Sequence, residues 1–180
     1  MPRSLTHFIL AISFFISCSL SFGFSESLSL GNNPLKKSGE SQLKAFGFVK
    51  LFEAALYLEE GYEPRDFPGE FSYGLSIRYN RKFRKETLIK SADNILKDLH
   101  SASDLSAIQE NLEKINQYYV DVGKGDTYTL VYHPENGTTL LYNDEPLVTV
   151  EGEDFAKIYF SIWLGGHPKS KALKEDLLEG

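Results

Sequence analysis

Five basic side chains stand beside apolar runs and are the residues best suited to chemistry: Lys44, Lys50, Arg78, Arg81 and Arg84. A cation at the mouth of an apolar cavity can hold a carboxylate, Arg as a two-pronged fork and Lys as a point charge. The plainer role for each is a solvated charge, or a partner for one of the 25 Asp and Glu residues. Ser41-Gln-Leu-Lys44 has a spacing at which Lys could activate Ser, but the companion motifs of enzymes that use it are missing. Gly123-Lys-Gly-Asp126 is too short for a phosphate cradle and precedes a strand pattern, so it reads as a turn. His100, His133 and His167 are isolated and read as surface or loop histidines, so no metal site and no cofactor are expected. Asn136-Gly-Thr138 matches a glycosylation acceptor, yet Asn-Gly between alternating strands is first a hairpin turn.

The elements that must carry these residues follow from apolar periodicity. Residues 46–58 are apolar on both alternating faces, which predicts a central strand covered on two sides. Ordered structure is expected to begin near Leu43, after a polar approach or first short strand over 31–41. A loop spans 61–69 with Pro64 and Pro68, and the alternation over 71–79 predicts a half-buried strand. Helical spacing recurs from Leu88 to Leu99 and, after a polar break at 101–104, from Leu105 to Ile115. Residues 127–132, 138–142 and 147–150 form a three-stranded antiparallel meander. Phe155, Ile158, Tyr159, Ile162 and Trp163 lay a stripe along a further helix. Gly165 is expected to supply its left-handed stop, Pro168 prevents continuation, and Leu173, Leu177 and Leu178 mark a second short helix. The order predicts an α+β layer with helices on one face of a sheet.

Residues 1–25 read as a secretory signal peptide: Arg3 precedes the apolar run 8–16, and small residues follow. The run is shorter than a membrane span requires, so no transmembrane segment is expected once the leader is removed. Residues 26–180 then form one domain in the periplasm or outside the cell. The single cysteine, Cys18, falls in the leader, which excludes disulfides and cysteine catalysis from the rest; a lipid-modified Cys18 is the alternative. The formal net charge is −6, which does not favour nucleic acid. Thirteen Phe and ten Tyr suit an aromatic sheet core or a lined apolar cavity.

Residues 46–58, Gly123-Lys-Gly-Asp126, residues 155–165 and the closing Leu173-Lys-Glu-Asp-Leu-Leu178 together resemble the bacterial chalcone isomerase-like family. The resemblance implies an open-faced β-sandwich: a large antiparallel sheet, helices packed on one face, and a ligand cleft between them, with the terminal helix pair as one wall. In the ring-closing plant enzymes of this fold an Arg, a Thr, a Tyr, an Asn and a Ser or Thr act on the substrate. The resemblance puts Lys44 at the Arg, Phe52 at the Thr, Arg84 near the Tyr, Ser91 near the Asn and Ile162 at the Ser/Thr. Phe52 and Ile162 offer no hydrogen-bond donor to a developing oxyanion, which argues against ring closure.

The relatives without catalysis bind fatty acids. The resemblance therefore implies a binder of a small hydrophobic or fatty-acid-like ligand, with Lys44, Phe52, Arg84, Ser91 and Ile162 as candidate ligand-binding residues and Lys44 as the anchor. The alternatives are an intramolecular lyase of unknown substrate, and a structural or partner-binding envelope protein with an exposed apolar patch.

Overall fold

Seven alternating segments pair into one antiparallel sheet in the computed structural model, which describes residues 23–29 and 34–179. The strands are β1 (Ser27–Leu28), β2 (Leu35–Ala45), β3 (Val49–Leu58), β4 (Tyr73–Tyr79), β5 (Thr127–His133), β6 (Gly137–Tyr142) and β7 (Glu145–Val150). Each pairs with its neighbour in sequence, so no connection crosses the sheet. Between β4 and β5 run α1 (Lys85–Leu99), α2 (Ala102–Ala107) and α3 (Gln109–Asn116); α4 (Glu153–Leu164) and α5 (Lys171–Glu179) follow β7. This is the α+β architecture expected, a large antiparallel sheet with a helical layer. The leader proposed for residues 1–25 lies almost wholly outside the described residues. Among the described residues no helix is long and apolar enough to cross a membrane.

The main core lies between sheet and helices. Leu56, Tyr73, Leu75, Ile77, Tyr128 and Leu130 meet Phe155, Tyr159 and Phe160 of α4 there, all essentially without solvent exposure. Each such side chain contributes about 1.5–3 kcal/mol when removed from water, so this interface dominates the stability. The opposite face carries a smaller cluster of Leu35, Ala55, Tyr57, Val131 and Leu141, against which Phe24 and Leu28 pack.

Several sequence expectations change. Residues 46–58 are not one strand: β2 and β3 close at Ala45 and Val49, and Phe46-Gly47-Phe48 forms the exposed hairpin tip. Regular structure begins at β1 and β2, well before Leu43, because two bulges in the polar β2 break its alternation. β4 is buried on both faces, since Leu28 covers Gly74, where a β-carbon would lie 2.8 Å from a leucine methyl. The second helical segment divides into α2 and α3, with a capping box between Ser101 and Asp104 starting α2. The left-handed residue after α4 is Gly166 (φ 83°), whereas Gly165 keeps a helical φ of −80°. Gly165 is glycine for space instead: its β-carbon would come 2.5 Å from the Ser161 carbonyl oxygen and 2.9 Å from Leu99.

Candidate functional site

The helices do not fill the sheet completely. Where β2 and β3 run out towards their hairpin, a cavity of about 450 Å³ opens between the sheet and the helical layer. Leu43, Leu51 and Phe52 form its sheet side, Leu88, Ala92 and Ile95 of α1 one wall, and Ile162, Trp163 and Leu173 the opposite wall. Phe52 sits edge-on to Tyr79 at 6.1 Å, and Tyr79 edge-on to Phe83 at 5.7 Å, so the floor is aromatic. Trp163 packs edge-on to Tyr159 at 5.9 Å.

Four of the five candidate residues are brought together: Lys44, Phe52, Ser91 and Ile162 all line this cavity. Their register explains it. Leu43 faces Phe52 across the β2–β3 ladder, and a bulge after Leu43 adds Lys44 to the same lining. Arg84 is not among the lining residues; it is the exposed residue at which α1 begins.

The other cations have other partners. Arg78 binds Glu53 at 2.7 Å and lies over the Phe24 ring at 4.6 Å, on the back of the sheet, and Lys50 reaches Glu53 at 3.4 Å. The Arg78 guanidinium holds the Glu53 carboxyl below the usual carboxylate range. Arg81 donates its Nε to the Lys50 carbonyl oxygen at 3.3 Å. Lys169, which no sequence signal marked, lines the cavity with Lys44, and neither is paired with a carboxylate among the described residues.

The Ser41–Lys44 spacing assembles no nucleophile, because Ser41 donates its hydroxyl proton to Asp176 at 2.5 Å and lines a separate groove. His100 Nε2 lies 2.7 Å from Ser161 Oγ, but that hydroxyl donates to the Ile158 carbonyl oxygen at 2.5 Å, so the imidazole is the donor and cannot take the serine proton. His167 is buried, not a surface residue: its Nδ1 accepts from the Lys169 amide, leaving the Nε2 proton for Asp98 at 3.1 Å. Gly123 to Asp126 is a turn, in which the Asp126 carboxylate accepts from the Gly123 amide at 2.6 Å. Among the described residues no three His, Cys, Asp or Glu side chains come together in a cluster that could hold a metal ion.

Sequence reasoning missed the phenols. Tyr79, Tyr119 and Tyr159 line the cavity with Asn116 and Thr87, and burial pushes the ionisation of all three tyrosines well above the ordinary range. They are neutral hydrogen-bonding groups. The available signal was Tyr159 within an apolar helical stripe, since a buried phenol seeks a polar partner. Among the described residues the lining contains no carboxylate and no imidazole. The arrangement suits holding an amphipathic molecule better than moving a proton at neutral pH.

No curated protein sequence matches the chain. Among solved structures it is similar to the Arabidopsis thaliana fatty-acid binding protein AtFAP1, with a TM-score of 0.62 and 13% identity over 87% of this chain and 91% of that one. Identity that low speaks to the fold alone. The sequence itself matches the chalcone isomerase-like family from residue 21 to residue 179, through every described strand and helix, and the chain belongs to that family.

Proposed function

We propose that this chain is a non-catalytic binder of a fatty-acid-like ligand, held in the cavity between β2–β3 and the helices α1, α4 and α5. The observation that carries the reading is the lining itself: Phe52 and Ile162 face an apolar space of about 450 Å³, within the range of small-molecule sites. Each methylene buried there contributes about 0.8 kcal/mol, so the acyl chain supplies most of the affinity. Lys44 is exposed, and an ion pair from it changes affinity roughly two- to fivefold, which orients the ligand more than it holds it. The similar fold of a protein named for fatty-acid binding supports the same reading. Export, with residues 1–25 as a removed leader, is part of the proposal and rests on Arg3 and the apolar run 8–16.

Native mass spectrometry of protein purified without detergent is expected to find a bound lipid, and palmitate is expected to raise the melting temperature. Lys44→Met should weaken palmitate severalfold while leaving its methyl ester unchanged. A protein that is empty as purified and unresponsive to fatty acids overturns the reading. An intramolecular lyase would instead consume chalcone above the spontaneous rate, and a lining of Lys44, Lys169 and neutral phenols without a carboxylate or imidazole gives no reason to expect it.

A further inference from the structure

The β2–β3 hairpin carries the two most exposed large apolar side chains among the described residues, Phe46 at 90% and Phe48 at 79% exposure. Neither ring belongs to a core cluster or to an aromatic pair. Phe46 has φ 52° and Gly47 φ 77°, both left-handed. A two-residue stretch of that kind favours Asn and Gly, and phenylalanine is uncommon there. The fold therefore gains nothing from these rings, and the backbone under Phe46 is in a conformation its side chain disfavours.

The surroundings of the tip are basic. Residues 43–52 and 80–85 hold six exposed cations, Lys44, Lys50, Arg81, Lys82, Arg84 and Lys85, with the acids only at their edges: Glu53, which Lys50 reaches at 3.4 Å, and Glu86. The Arg81 bond to the Lys50 backbone keeps the second segment beside the first. This concentration occurs in a chain whose net charge is −6, so it is local and opposite in sign to the whole. Exposed aromatics ringed by cations match an anionic bilayer, whose interface accepts the rings while its headgroups attract the basic residues.

We propose that the Phe46-Gly47-Phe48 tip docks this protein on anionic lipid membranes. Leu43, Lys44, Leu51 and Phe52, on the same two strands, line the cavity, so docking brings the bilayer next to the cavity's hairpin end. Passage of a ligand between membrane and cavity rests on the proposed function; docking itself does not.

The test reads the tip directly, in the full chain. Phe48→Trp in a Trp163→Phe background leaves one indole, since Trp163 is the only natural tryptophan. With vesicles of equal parts phosphatidylcholine and phosphatidylglycerol, its emission should shift to the blue and be quenched by brominated acyl chains. Pure phosphatidylcholine vesicles should bind at least about tenfold more weakly, and added salt should weaken the anionic case. Phe46→Asn, in a conformation asparagine tolerates, should lower tip partitioning about tenfold without lowering the melting temperature. Unchanged emission overturns the proposal, as does an equal response to neutral vesicles. A blue shift without vesicles that grows with protein concentration overturns it in favour of a second copy. Ligand occupancy enters none of these readings, so failure here is distinct from failure of the binding function.

Discussion

The hydroxyls of Tyr119 and Tyr159 meet at 2.8 Å in the cavity wall, one from the segment after α3 and the other from the middle of α4. One proton lies between the two oxygens. The second hydroxyl proton has no other hydrogen-bond partner among the described residues, and both phenols line the cavity. Both rings are fixed: Tyr119 packs on Tyr128 at 4.7 Å, and Tyr159 stacks on Phe155 at 5.1 Å. A preset donor in an apolar lining costs little further ordering when a carboxylate or carbonyl arrives.

This pair predicts a non-additive double-mutant cycle. Tyr119→Phe and Tyr159→Phe should each cost about 1–3 kcal/mol, because each leaves one buried hydroxyl without its partner. The double variant should cost less than the two singles together, by about 0.5–2 kcal/mol. Urea denaturation of the four proteins measures it, and strict additivity would mean that the bond contributes nothing.

Phe52 and Ile162 give the sharpest test of the apolar lining. Replacing either by threonine puts a hydroxyl into a wall with few partners, at a cost to the bound state of about 1–3 kcal/mol. Palmitate should then bind roughly tenfold more weakly, read from the fluorescence of Trp163, the neighbour of Ile162 in the lining. Equal affinity would place the ligand elsewhere.

Lys44, Phe52, Ser91 and Ile162, the four expected residues that line the cavity, also show what the sequence could express. The meander and the terminal helices follow simple periods, and their assignment survives in the structure. β2 does not, because its bulges at Lys37/Gly39 and Leu43/Lys44 reset the alternation twice within eleven residues. The residues 46–58 look like one run because the apolar tip continues the pattern of the strand, although Phe46 and Phe48 point at solvent. Lys44, Phe52, Ser91 and Ile162 came from a resemblance to whole elements. Tyr119 and Lys169 lie between elements, where no period constrains position and only tertiary packing brings a side chain to the cavity.

Glycine positions test how α4 and α5 close that cavity. A β-carbon on Gly39 would sit 2.7 Å from the Leu177 carbonyl oxygen, because the α5 backbone rests directly on β2. The Ser41 bond to Asp176 fastens the same contact. Gly39→Ala and Gly165→Ala should each destabilise by about 1–3 kcal/mol, a melting-temperature loss of about 2–4 °C for each kcal/mol. Gly47→Ala meets nothing within 4 Å and is limited by its φ of 77° alone, so it should cost about 1–2 kcal/mol without loosening α5. Hydrogen exchange of the α5 amides separates the cases: only Gly39→Ala should accelerate it.

High pH should unfold the protein through its buried phenols. Desolvation raises the ionisation of Tyr73, Tyr79, Tyr119 and Tyr159 well above the ordinary value of 10.0. The unfolded chain ionises them near that ordinary value, so stability is intact below it and falls as the pH climbs from there towards the folded-state values. Each such tyrosine adds about 1.4 kcal/mol per pH unit to the fall. The tyrosinate absorbance of these four should therefore appear together with the loss of circular dichroism. Tyr79→Phe removes one of them without breaking a described hydrogen bond, and should leave neutral-pH stability nearly unchanged while making the alkaline fall shallower by one tyrosine's share. If the four ionise gradually while the circular dichroism stays native, the phenols are reached by water in the folded state, and the cavity wall is looser than its packing implies.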